Sequence, residues 1–105
     1  MTLTEITVEQ AVAELNKLNG KDLSVALKGK EVSCTFHLKN VEVHIEEQDH
    51  ELDAVLIASD NEDDGVAIVL HDAQRIEYSL EAARYQLVVT YKGGNQIQYW
   101  ISTEL

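Results

Sequence analysis

The sequence predicts an α+β domain. One N-terminal helix should precede about seven mostly antiparallel strands, curled into an SH3-like or related small, partly open barrel. A single curved antiparallel sheet packed on the helix is the alternative. Three observations carry this expectation. Apolar residues recur at helical spacing near the start, the period changes to two afterwards, and glycine-containing turn signals punctuate the alternating stretches. With 105 residues and 45% hydrophobic content, the chain can bury one core and is read as a single domain over 1–105.

The helix comes first. Thr7-Val8-Glu9-Gln10 reads as a capping box, in which the threonine hydroxyl accepts from the Gln10 N–H and the Gln10 side chain reaches back. Val8, Ala11, Val12, Leu15 and Leu18 then fall on one face, and Gly20 suits the left-handed position that ends a helix, so a helix is predicted over 8–19.

Past Gly20 the alternation begins. Leu23, Val25 and Leu27 lead into "KGKE"; Val32, Cys34, Phe36 and Leu38 lead into Lys39-Asn40; Val41, Val43 and Ile45 follow. Tight turns would set Leu27 by Val32, Val25 by Cys34 and Phe36 by Val43. The result would be a three-stranded meander with one apolar face, burying Cys34, and one wet face.

The segments 52–59 and 66–71 are apolar on both faces. Pairing across "DNEDDG" (60–65) would set Ile57 by Ile68 and Val55 by Leu70 on one side, and Leu56 by Val69 on the other. Both faces would then need cover, the second from the helix or the last hairpin. The stretch "DAQRIEYSLEAARYQL" fits helix and strand alike; Ile76 and Tyr78 favour a short strand near 75–80. Finally, 85–91 and 96–102 flank "KGGN", a hairpin signal. Pairing across Gly93-Gly94 would put Trp100 opposite Leu87, on a face shared with Tyr85, Val89 and Tyr91.

Charge is the most uneven property of the chain. The net charge is −11, and no lysine or arginine lies between Lys39 and Arg75. That gap holds Glu42, Glu46, Glu47, Asp49, Glu51, Asp53, Asp60, Glu62, Asp63, Asp64 and Asp72, eleven acids that account for the whole net charge. Phosphates would be repelled, so neither direct nucleic-acid binding nor an anionic membrane surface is expected. No apolar run is long enough to span a membrane, and the acidic, alternating N-terminus is not expected to act as a signal peptide. Cys34 is the single cysteine, which excludes an intrachain disulfide and fits a reducing, cytoplasmic setting.

Several chemistries can be argued against. As a calcium loop, Asp60, Glu62, Asp64 and Gly65 match the first positions, but His71 stands where a bidentate glutamate is needed and the flanks read as strands. Cys34 and His37 sit three apart on a strand and so point to opposite faces. His37, Glu42 and His44 would share a face and form a cross-strand pair rather than a zinc site. No nucleophile elbow, Walker loop or dinucleotide fingerprint occurs. No enzyme, catalytic residue, metal or cofactor is expected.

What remains is a small acidic interaction module that binds a basic protein, with inhibition of a nucleic-acid-binding protein by carboxylate mimicry as its narrower form. A metal- or small-ligand-binding protein using segment 42–72 is the alternative. The residues expected to meet the partner are Glu42, Glu46, Glu47, Asp60, Glu62, Asp63 and Asp64, with Tyr85, Tyr91 and Trp100 from the last hairpin. That hairpin is also the expected face of a homodimer, because Tyr and Trp tolerate partial exposure.

Overall fold

In the computed structural model, which describes residues 2–31, 33–81, 83–93 and 97–104 and only the backbone of Glu62, Thr7 opens the helix as its sequence predicts. The Gln10 N–H donates to Thr7 Oγ1 at 3.1 Å and the Thr7 N–H to Gln10 Oε1 at 2.9 Å. The helix, α1, spans Val8–Asn16 and is shorter than predicted. At its end the Lys17 and Leu18 N–H groups bond three residues back, tightening the chain into turns. Gly20 follows at φ +81, and its N–H reaches the Val41 carbonyl at 2.8 Å. Ala11, Leu15 and Leu18 are fully buried.

The class is α+β as expected, with nine strands among the described residues: β1 (Thr4–Ile6), β2 (Leu23–Lys28), β3 (Ser33–Leu38), β4 (Val41–Gln48), β5 (Glu51–Ala58), β6 (Asn61–Val69), β7 (Ala73–Glu81), β8 (Arg84–Tyr91) and β9 (Gln98–Glu104). The ambiguous segment after Asp72 is strand β7. The short β1, which the sequence reading missed, pairs with it. The strands form two sheets rather than a single curved one: six strands in the order β1-β7-β8-β9-β2-β3, and three in the order β4-β5-β6. Every pairing is antiparallel. One core cluster joins the inner faces of both sheets to α1. Each fully buried leucine or isoleucine in it, such as Leu15, Leu56, Ile68 or Leu87, contributes roughly 1.5–3 kcal/mol.

The expected meander breaks at Lys39-Asn40, because β3 and β4 belong to different sheets. Asn40 adopts φ +48 and sends its N–H to Asp22 Oδ1 at 2.9 Å, while its carbonyl takes the Ser59 N–H at 3.2 Å and the Ser59 hydroxyl. The Val41 N–H then bonds Lys21 O. The backbone groups of this turn are satisfied by flanking segments instead of by each other, so the chain turns a corner between sheets. Phe36 and Val43 are therefore not strand partners.

Three registers differ from the sequence reading. In β2–β3, Leu27 pairs with Cys34 and Val25 with Phe36, a two-residue shift that keeps every side chain on its expected face. Cys34 is nevertheless exposed, because it lies at the uncovered end of an edge strand. In β8–β9, Trp100 pairs with Val88 and Leu87 with Ile101. The closing bond joins the Tyr91 N–H to Ile97 O, an odd number of intervening residues, and odd loops flip face parity. Tyr85, Leu87, Val89, Tyr91, Tyr99 and Ile101 thus share the core face, and Trp100 faces the other way.

The third change concerns "DNEDDG". Only Ser59-Asp60 forms the turn; Asn61 onward is strand. The register jumps from Ile57↔Gly65 to Ala58↔Asn61, so residues 62–64 bulge out of β6. Asn61 Nδ2 holds Asp64 Oδ2 at 3.1 Å, and the Asp63 N–H donates to Asn61 Oδ1 at 3.2 Å. Gly65 is required here, because a Cβ would lie 2.9 Å from the Leu56 carbonyl oxygen. Three extra residues again reverse parity: Ala54, Leu56, Ala58, Ile68 and Leu70 enter the core, and Val55, Ile57, Ala67 and Val69 face out.

Candidate partner-binding surface

The reversed parity builds an unusual outer face on the three-stranded sheet. Paired residues on it are Glu42–Ile57–Gly65, His44–Val55–Ala67 and Glu46–Asp53–Val69, with Gln48–Glu51 at the end. The hairpin joining β4 and β5 is tight, with Asp49 and His50 both at positive φ (53 and 67), the conformation two-residue hairpins need. Val55, Ile57 and Val69 are half-buried only against their own neighbours: they take no part in the core cluster, and neither the helix nor the last hairpin covers them as expected. The result is an apolar strip bordered by the carboxylates of Glu42, Glu46, Glu51 and Asp53.

Polar contacts on this face are local. His44 Nε2 lies 3.4 Å from Glu42 Oε2 on the same strand. The His71 ring lies 3.5 to 3.9 Å from carboxylate oxygens of Glu51, Asp53 and Asp72. Asp53 Oδ1 is buried without a hydrogen-bond partner. His37 does not join His44 and Glu42, since its strand belongs to the other sheet; its Nδ1 is 3.0 Å from Ser24 Oγ. Among the described residues, no group of three or more His, Cys, Asp or Glu is placed to hold a metal ion.

The residues singled out in the sequence separate into groups. Glu42 and Glu46 stand on the outer face of β4, and Glu47 is exposed near its end. Asp60 is in the turn, and Asp63 and Asp64 are exposed in the bulge; the Glu62 side chain lies outside the described part. Asp63 and Asp64 also line a cleft of about 310 Å³ with Phe36, His37, Leu38 and Gly65, where β3 approaches β6. Tyr85 and Tyr91 turn to the core. Tyr85 is only 4% exposed, its hydroxyl unpartnered, and Tyr91 donates to Val69 O at 2.6 Å. Burial raises the hydroxyl pKa of both, helped by Glu14 at Tyr85 and Tyr99 at Tyr91.

Trp100 is half-buried on the outer face of the large sheet, apart from the acidic strip. The Lys28 Nζ sits 4.2 Å above its ring, and Nε1 donates to Gln98 Oε1 at 3.0 Å. Gln98 continues to Thr90 Oγ1 at 3.1 Å. Val88 and Thr90, although outside the core, are each 1% exposed beneath this cover. Trp100 therefore seals a polar sheet face. A second, open cleft of about 540 Å³ is lined by Lys21, Asp22, Arg84 and Glu104 with Ser24 and Ser102; its charges balance.

The missed feature was the apolar strip between carboxylates. Its signal is the two-sided apolarity of 52–59 and 66–71, for which the sequence predicts a cover that the fold does not place there. No helix of the described residues is long and apolar enough to cross a membrane. No family model, curated protein or solved structure matches the chain.

Proposed function

We propose that the chain is an interaction module that binds a basic protein partner through the outer face of β4, β5 and β6. The observation that carries this reading is the strip of Val55, Ile57 and Val69, which shares one solvent-facing side with Glu42, Glu46, Glu51 and Asp53. An apolar centre with a charged rim is the anatomy of a protein interface. The strip supplies area to bury, and the carboxylates select a partner with lysines and arginines while speeding the encounter. Trp100, Tyr85 and Tyr91 play no part in this surface.

Capture from a cell lysate on immobilised protein tests it. The reading expects a basic protein that is retained at low salt and released at high salt. Val55→Asp should abolish its recovery, and so should Glu42→Lys combined with Glu46→Lys. Recovery unchanged in both variants, or no basic protein at any salt, overturns the reading.

A further inference from the structure

We infer that β3 is the edge to which a second copy of the chain adds, antiparallel, about a two-fold axis near the middle of the strand. This does not rest on the basic-partner reading and concerns the other sheet. The two sheets have four edges. β1 is only three residues long. The start of β4 is bonded to the chain after α1, through Gly20, Lys21 and the Asn19 side chain. β6 opens into the acidic bulge. These are the devices by which soluble proteins block strand addition. β3 is the least protected: Ser33–Leu38 contains no charged residue and no proline, and among the described residues its backbone pairs only with β2, although the β6 bulge stands across a cleft from its last three residues.

Two further observations say what the edge would take. Cys34 and Phe36 belong to the inward-facing row of β3, yet Cys34 is exposed and Phe36 only half-buried. An antiparallel copy places the same two side chains against them, and Ser33, Thr35 and His37 against their own kind on the other face, so the strand is self-complementary. Charge sets the orientation. The turn before β3 carries the exposed Lys30, with the exposed Glu31 beside it, while the cleft at its far end carries Asp63 and Asp64. Antiparallel addition brings Lys30 of each copy towards the Asp63 and Asp64 of the other, twice. Elsewhere two chains of net charge −11 repel.

Sedimentation velocity across a concentration series, with cross-linking through Cys34, the only cysteine, tests this. Diagonal neighbours across paired strands lie about 7–8 Å apart, within reach of a short bis-maleimide. The wild type should dimerise and cross-link. Cys34→Lys, at a position exposed in the single chain, should keep the wild-type melting profile and sediment as a monomer. Asp63→Lys with Asp64→Lys should weaken the dimer about ten-fold, as should Lys30→Glu. The three substitutions together should restore it. A wild type monomeric throughout, a dimer indifferent to Cys34→Lys, or no rescue by the combined charge reversal overturns the inference. Protection of Cys34 in a lysate by a monomeric chain would assign the edge to another protein's strand and overturn it equally.

Discussion

Tyr85 and Tyr91 carry the same hydroxyl into the same core with opposite consequences. The Tyr85 hydroxyl is buried without a partner, so Tyr85→Phe should raise stability by about 1 kcal/mol in urea unfolding. Tyr91 donates to Val69 O, so Tyr91→Phe should cost about 1 kcal/mol. Both hydroxyls titrate above the ordinary tyrosine value in the folded state because burial disfavours the phenolate. The unfolded chain releases these protons first, near pH 10, so their contribution is complete below that pH and is lost as pH rises above it. The double Phe variant should show a flatter loss of stability between pH 10 and 12 than the wild type. Cys34 should react rapidly with a thiol reagent in dilute protein, and Cys34→Ser should change stability by no more than about 0.5 kcal/mol. The capping pair Thr7 and Gln10 was legible because it depends on four consecutive residues. The exposure of Cys34 was not: alternation assigns a residue to a face but does not say how far along the strand that face is covered.

At the scale of elements, every strand but β1 was legible and three of their registers were not. Period-two alternation locates β2, β3, β4, β5, β8 and β9 and assigns the faces of β2, β3 and β4 correctly. The face of a strand across a hairpin depends on whether the loop holds an odd or an even number of extra residues. The three bulged residues after Asn61 and the odd loop after Tyr91 therefore each turned a strand over. The acidic bulge is held open by Gly65. Gly65→Ala should cost about 1–3 kcal/mol, read by thermal or urea unfolding, since a Cβ would press on the Leu56 carbonyl. A neutral result would mean that the bulge does not bring these two backbones so close. The break between β3 and β4 was invisible for another reason: Lys39-Asn40 reads as a hairpin turn, and bonds from Lys21, Asp22 and Ser59, remote in sequence, make it a corner.

Across the whole molecule, the α+β class and the concentration of charge in 42–72 were legible, because each follows from composition and period alone. The acidic strands β4, β5 and β6 form one sheet, so the carboxylates that crowd the sequence also crowd one side of the fold. Self-repulsion of that kind is screened by salt, and the melting temperature should rise between low and physiological ionic strength. The central claim is that the acid-bordered apolar strip on this sheet is where a partner binds. Site-specific photo-cross-linking tests it most directly, with a photoreactive side chain placed at Val55 on the strip or at Gln86 on the outer face of the large sheet. The account predicts a cross-link to a basic protein from position 55, none from position 86, and loss of the adduct when Glu42 and Glu46 are changed to lysine. Equal adducts from both positions, or an adduct at 55 that survives the charge reversal, would contradict it.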